Sequence, residues 1–179
     1  MINKKGNAMI IILFFFLLFS ILFIGFMMVV GSAILNWTFD IAVPELDSLG
    51  VIGDTNMTDV ASYTLTPLNT LVQSFTWLTG VLYVMMLIGS IGIVFIFKAT
   101  PSRWLIAFYF GLALILIMGS IFMSNIYEDF YDGGDELADR LKEHTLLSYM
   151  ILYSPVILTV IVFATGIILF SGMQEENYV

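Results

Sequence analysis

The sequence predicts an all-α integral membrane protein with four transmembrane helices, both termini on the cytoplasmic side, and two acidic exterior loops. Three observations predict it. Stretches 7–39, 60–97, 104–127 and 145–174 carry no Asp, Glu, Lys or Arg, and each exceeds the roughly 20 apolar residues needed to cross a bilayer. The 179 residues are 60% hydrophobic and only 11% charged, where a soluble domain carries about 25% charge. A chain this apolar takes the bilayer as its solvent. The charges between the stretches also alternate in sign: Lys4 and Lys5, then an acidic segment, then Lys98 and Arg103, then a second acidic segment. Lys and Arg mark the cytoplasmic side, whereas acidic residues count little. The basic N-terminus and the 98–103 turn are therefore expected inside, and both acidic loops outside.

One membrane domain is expected to occupy 1–179, with spans near 8–35, 69–97, 104–126 and 147–171. The exterior loops then fall near 36–68 and 127–146. The first span is about 42 Å of helix at 1.5 Å per residue, longer than a core of about 30 Å, so it tilts or projects. Its early Phe14-Phe15-Phe16 run is bulky, whereas Gly25, Gly31, Ser32 and Ala33 are small and come late. A basic then apolar N-terminus also suits a secretory signal, but this apolar run is much longer than a signal's core. Lys4-Lys5-Gly6-Asn7-Ala8 ahead of a long apolar helix resembles the leader of type IV pilin-like proteins, where basic residues and a glycine precede the cut. The resemblance covers only the N-terminal residues and implies processing there. That family's acidic residue would fall at Ile11, and three further spans follow, so a retained first span is expected.

The first loop holds Asp40, Glu45, Asp47, Asp54 and Asp59 and is punctuated by Pro44, Gly50, Gly53 and Pro67. Its apolar residues are too many for a fully solvated loop, so short irregular or helical pieces on the membrane surface or on neighbours are expected. The second span has a polar entrance of Asn69, Thr70, Gln73, Ser74 and Thr76, followed by an apolar core. Pro101 in the short basic link suits the start of the third span. In the second loop Gly133-Gly134 breaks structure, and Asp135 then offers an N-cap to a short amphipathic helix. Pro155 predicts a kink in the fourth span, with Ser154 or a neighbouring helix meeting the freed carbonyl.

Among candidate sites, Gly31, Gly89, Gly92, Ala107, Gly111 and Gly119 are small residues that let helices approach closely. Trp37, Trp77, Trp104 and Tyr149 fall near span ends, the position of interfacial anchors. Asn36-Trp-Thr38 and Asn56-Met-Thr58 are N-glycosylation acceptor triplets. The carboxylates Asp129, Asp132 and Asp135 are candidate ligands of a hard cation such as calcium. Their spacing does not follow an EF-hand, and a solvated acidic loop is the plainer reading. His144 is the only histidine and cysteine is absent, so no thiolate chemistry is open to the chain.

Proton relays, pumps and transporters place ionisable residues inside the membrane, and this chain has none between its span ends. No catalytic set and no cofactor are expected. The net charge of −8 disfavours nucleic acid. The expected partners are the lipid bilayer and other membrane protein chains, in a homo- or hetero-oligomer. The leading expectation is a non-enzymatic structural subunit of a larger assembly in a plasma membrane or a virion's internal membrane. Two alternatives stand beside it. One is an accessory subunit of a respiratory, secretion or transport complex. The other is an oligomeric channel or carrier with Asn69, Gln73, Ser74 and Thr76 at its mouth.

Overall fold

A computed structural model describes residues 4–96 and 103–170. About 91% of them are helical, and there is no sheet-rich fold. The elements are α1 (Lys4–Ser48), β1 (Val51–Ile52), β2 (Thr55–Asn56), α2 (Met57–Val60), a π-helical turn (Ala61–Leu65), α3 (Thr66–Ile96), α4 (Arg103–Tyr131), α5 (Glu136–Glu143), α6 (Thr145–Leu152) and α7 (Ser154–Phe170). Three helical stretches are long and apolar enough to cross a membrane, and a fourth forms if the bent pair α6–α7 counts as one span. The basic link at 98–102 lies outside the described residues.

The helix α1 is the centre of the molecule. Its buried residues Ile11, Phe14, Phe15, Leu18, Leu22, Val29, Ser32, Ala33 and Asn36 recur every three or four positions, which is one face of a 3.6-residue helix. Helices α3, α4, α5 and α6 all pack on α1, and α7 packs on α4. The α4 face is Leu105, Tyr109, Ala113, Leu116, Ser120, Ser124 and Tyr127.

Tyr109 ties three helices together. Its hydroxyl donates to the Val162 carbonyl at 2.7 Å and lies 2.8 Å from Thr165 Oγ1. Its ring meets Phe15 of α1 edge-on with centroids 5.0 Å apart. The ring can sit so close to α7 because Gly166 has no side chain: a Cβ there would lie 3.2 Å from Tyr109 Cε1.

The expected loop over 36–68 is mostly helix. The α1 stripe continues past Asn36 through half-buried Phe39, Val43 and Leu46, so packing carries the helix past Asp40 and Pro44 to Ser48. It stops at Gly50, whose φ of +62 is the left-handed cap glycine allows. A two-residue Gly53-Asp54 turn then joins β1 to β2, with Val51 opposite Asn56 and Ile52 opposite Thr55. Only Gly53 has positive φ, at +64, the pattern of a type II′ hairpin. Pro67 lies inside α3 rather than in a loop. It has no N–H to give, and the wide π turn just ahead of it accommodates that loss.

The expected kink in the fourth span is a 65° bend between α6 and α7, with Tyr153 at the break. A neighbouring helix meets the interrupted backbone: Ser124 Oγ of α4 donates to the Leu152 carbonyl at 2.6 Å. The expected short helix after Gly134 is α5, and Asp135 caps it by accepting from the Ala138 N–H at 2.9 Å.

The Tyr109 contacts yield a prediction. Tyr109→Phe keeps the ring and removes the hydroxyl's bonds to α7. It should lower stability in micelles by about 1 kcal/mol, the usual worth of an interhelical hydrogen bond in a membrane protein. Gly166→Leu should cost more, because the added side chain meets the ring. Denaturant unfolding followed by circular dichroism measures both, and a Gly166→Leu variant as stable as wild type would refute the close approach.

Candidate functional site

Two buried polar residues of α1, Ser32 and Asn36, lie where α1 meets α3 and the α5–α6 junction. The α1 stripe turns polar there, at Ser32 and Asn36, one helical turn apart on the buried face. Ser32 is buried and donates to the Val29 carbonyl of its own helix at 2.9 Å. Its Oγ also lies 3.3 Å from His144 Nε2. His144 occupies the break between α5 and α6. Its N–H reaches the Leu141 carbonyl, and its own carbonyl receives the Ser148 N–H at 2.9 Å. Ser148 in turn donates to the Leu141 carbonyl and lies 2.7 Å from the Tyr127 hydroxyl. The junction is thus pinned from α4, and His144 is held against α1.

Asn36 is only 3% exposed, and its Oδ1 has no hydrogen-bond partner among the described residues. It borders a cavity of about 400 Å³. The polar part of the wall is Asn36, Gln73, Glu143, His144 and Thr145, and the apolar part is Trp77, Gly80, Leu146 and Leu147. Gly80 sets the width on the α3 side, since a Cβ there would lie 3.4 Å from Leu146 Cδ2.

A charged clasp closes over the junction. Arg140 of α5 pairs with Asp40 of α1 and, at 3.1 Å, with Glu143 Oε1. Trp37 Nε1 donates to Glu136 Oε2 at 2.6 Å. These bonds bring the acidic residues after the first apolar run and those of α5 together. Burial pushes the His144 pKa below its ordinary value of 6.5, outweighing the upward pull of Glu143.

The structure separates the candidates read from sequence. Asp129, Asp132 and Asp135 do not converge: no group of three His, Cys, Asp or Glu able to hold a metal occurs among the described residues, and Asp135 is engaged as the α5 cap. Asn36 is corrected as a glycosylation acceptor, because its amide is buried within a helix. Asn56 is exposed and caps α2 by accepting from the Thr58 N–H at 3.1 Å. Trp37, Trp77, Trp104 and Tyr149 are all exposed. The glycines divide: a Cβ at Gly31, Gly89, Gly92 or Gly111 would meet nothing within 4 Å, and one at Gly119 would touch Phe19 at an ordinary 3.5 Å. Ala107 is exposed on the same face as Gly111. The tight internal approaches are Gly166 and Gly25, whose Cβ would meet the Tyr83 ring at 3.0 Å.

The Ser32–Asn36–His144 grouping has a sequence signal: the apolar stripe of α1, extended in steps of three and four, lands on Ser32 and Asn36. No protein-family model, curated protein or solved structure matches the chain.

The depressed His144 pKa sets a pH dependence. Between 6.5 and the lower folded value, the unfolded chain binds more protons than the folded one. Stability should therefore be full above the unfolded value and fall as pH drops through that window. The midpoint of thermal unfolding in micelles should fall on acidification from about pH 7 to about pH 5, before most carboxylates titrate. His144→Gln should flatten that slope, and a profile parallel to wild type would place the titration elsewhere.

Proposed function

We propose that this chain is a non-enzymatic structural subunit that packs with other membrane chains into a larger assembly. One observation carries the reading: the small residues Gly31, Gly89, Gly92 and Gly111 have open space beside them. A glycine inside a helix costs about 1 kcal/mol against alanine. In lipid its return is the close approach of a second backbone. Within this chain that return is taken at Gly25 and Gly166 and not at these four positions. The surface of α3 supports the same reading, since only 18% of its apolar window is buried, against 39% for α1.

In this reading the bilayer covers most of the exposed apolar surface and partner helices cover the glycine positions. The acidic end, clasped by Arg140, is the docking surface outside the membrane. The Lys and Arg bias puts Lys4, Lys5, Lys98 and Arg103 on the cytoplasmic side of a plasma membrane, or on the luminal side of a membrane within a virion. Both termini then lie on that side.

Two experiments test this. Gly92→Leu and Gly111→Leu should leave the monomer folded, because the new side chains enter open space, yet reduce cross-linked oligomer or co-purified partner several-fold. Leu116→Ala should instead lower monomer stability by about 2–5 kcal/mol, the usual cost of emptying a buried leucine site. Equal assembly by the glycine variants and wild type would sink the proposal. For orientation, single cysteines at Thr58 and Asp132 should react with an impermeant maleimide added outside, and one at Thr100 should not. The reverse pattern would invert the topology.

A further inference from the structure

We propose that Asn56 is an acceptor for an N-linked glycan, carried beyond the far end of α1 on the exterior side of the membrane. The exterior side is the one given by the Lys and Arg bias in the proposed topology, on which this inference rests.

The chain holds two acceptor triplets, Asn36-Trp37-Thr38 and Asn56-Met57-Thr58, and the structure treats them oppositely. Transfer needs an asparagine amide that an enzyme can reach and a hydroxyl residue two positions on, which places acceptors in surface loops. Asn36 fails this requirement. It is 3% exposed and lies inside the 45-residue α1, so presenting it means unwinding the helix on which the bundle packs. Asn56 meets the requirement. It is exposed in the two-residue strand β2, opposite Val51, which is itself 68% exposed. Thr58 is exposed as well. Among the described residues, nothing bonds to Asn56 Nδ2 or to Thr58 Oγ1.

The bonding of Asn56 is compatible with the reaction. Its Oδ1 accepts from the Thr58 N–H at 3.1 Å and so caps α2. That bond uses the amide oxygen and leaves the nitrogen for chemistry. The donor is an oligosaccharide joined through its first C1 to a lipid pyrophosphate. Asn56 Nδ2 bonds to C1 and gives up one proton, while the C1–O bond breaks and the lipid pyrophosphate leaves with the electron pair. The product is a secondary amide with its carbonyl oxygen unchanged, so the cap on α2 survives the modification.

The triplet is also cheap to present. A transferase must draw it into its own cleft, and segments with few buried contacts open at least cost. Every residue from Val51 to Asn56 is exposed, and α2 is four residues long with no buried side chain. The acceptor stands clear of the apolar part of the chain. It follows Ser48, which lies about 18 Å of helix beyond Asn36 at 1.5 Å per residue. Asp54 and Asp59 flank the triplet, and charged side chains are costly inside a bilayer, so this segment belongs in water.

The full chain is translated with pancreatic microsomes, whose lumen corresponds to the exterior side, and run on gels before and after endoglycosidase H. Wild type should shift by a single glycan, and the enzyme should remove the shift. Thr58→Ala should abolish it while leaving Asn56 and its cap in place. Thr58→Ser should restore it, because serine also completes the triplet. Thr38→Ala removes the first triplet without touching buried Asn36 and should leave the shift unchanged. An Asp132→Cys variant reports the side in the same preparations, since the chain has no cysteine of its own. Its thiol should resist an impermeant maleimide until detergent opens the vesicles. An unglycosylated chain with that thiol shielded overturns the proposal and leaves the orientation standing. An unglycosylated chain with the thiol labelled in intact vesicles overturns both. A shift that survives Thr58→Ala and is lost in Thr38→Ala puts the glycan on Asn36 and also overturns the proposal.

Discussion

The lateral packing of this fold depends on one stripe of side chains along α1. In lipid the contact between helices gains nothing from excluding water, so shape and hydrogen bonds must hold them. The stripe meets that demand differently along its length. Near the N-terminus it offers aromatic edges, with Phe14 and Phe15 turned against each other at 5.2 Å and Phe15 against Tyr109. In the middle it offers absence, at Gly25, where the Tyr83 ring lies against bare backbone. Toward the other end it offers polarity, at Ser32 and Asn36. Each neighbouring helix is matched to its part of the stripe.

Many polar side chains within the bundle are satisfied locally. Serine and threonine hydroxyls bond back to carbonyls three or four residues earlier, as at Ser90 to Leu87 and Thr165 to Ile161. Where the backbone itself is interrupted, at the α6–α7 bend, Ser124 arrives from another helix. Among the described residues, the buried oxygens of Asn36, Asn69, Tyr83 and Ser154 are left without a hydrogen-bond partner.

Much of the architecture is legible in the sequence. The uncharged stretches mark the apolar helices, Asp135 after a Gly-Gly pair marks the α5 cap, and Pro155 marks the bend. The extent of α1 is not legible from charge alone. Asp40, Pro44, Glu45 and Asp47 read as a loop, yet Phe39, Val43 and Leu46 continue the buried periodicity and decide the outcome. The hairpin carried a signal in Gly53-Asp54 between Val-Ile and Thr-Asn. The roles of the glycines were not readable, because the same residue and spacing serve an internal contact at Gly25 and an outer surface at Gly92. The cavity was only half readable. Gln73 stood out as polar, but its meeting with Asn36 and His144 depends on how α3 and the α5–α6 break pack on α1.

The unbroken run of α1 past Asn36 has a mechanical consequence. From there to Ser48 the helix rises about 18 Å at 1.5 Å per residue, with Pro44 inside it and Arg140 bracing it through Asp40. A helical strut of that length acts as a spacer. Anything that docks on its tip is held at a set standoff from the apolar part of the bundle, and a sideways push on the tip becomes a tilt of the whole bundle.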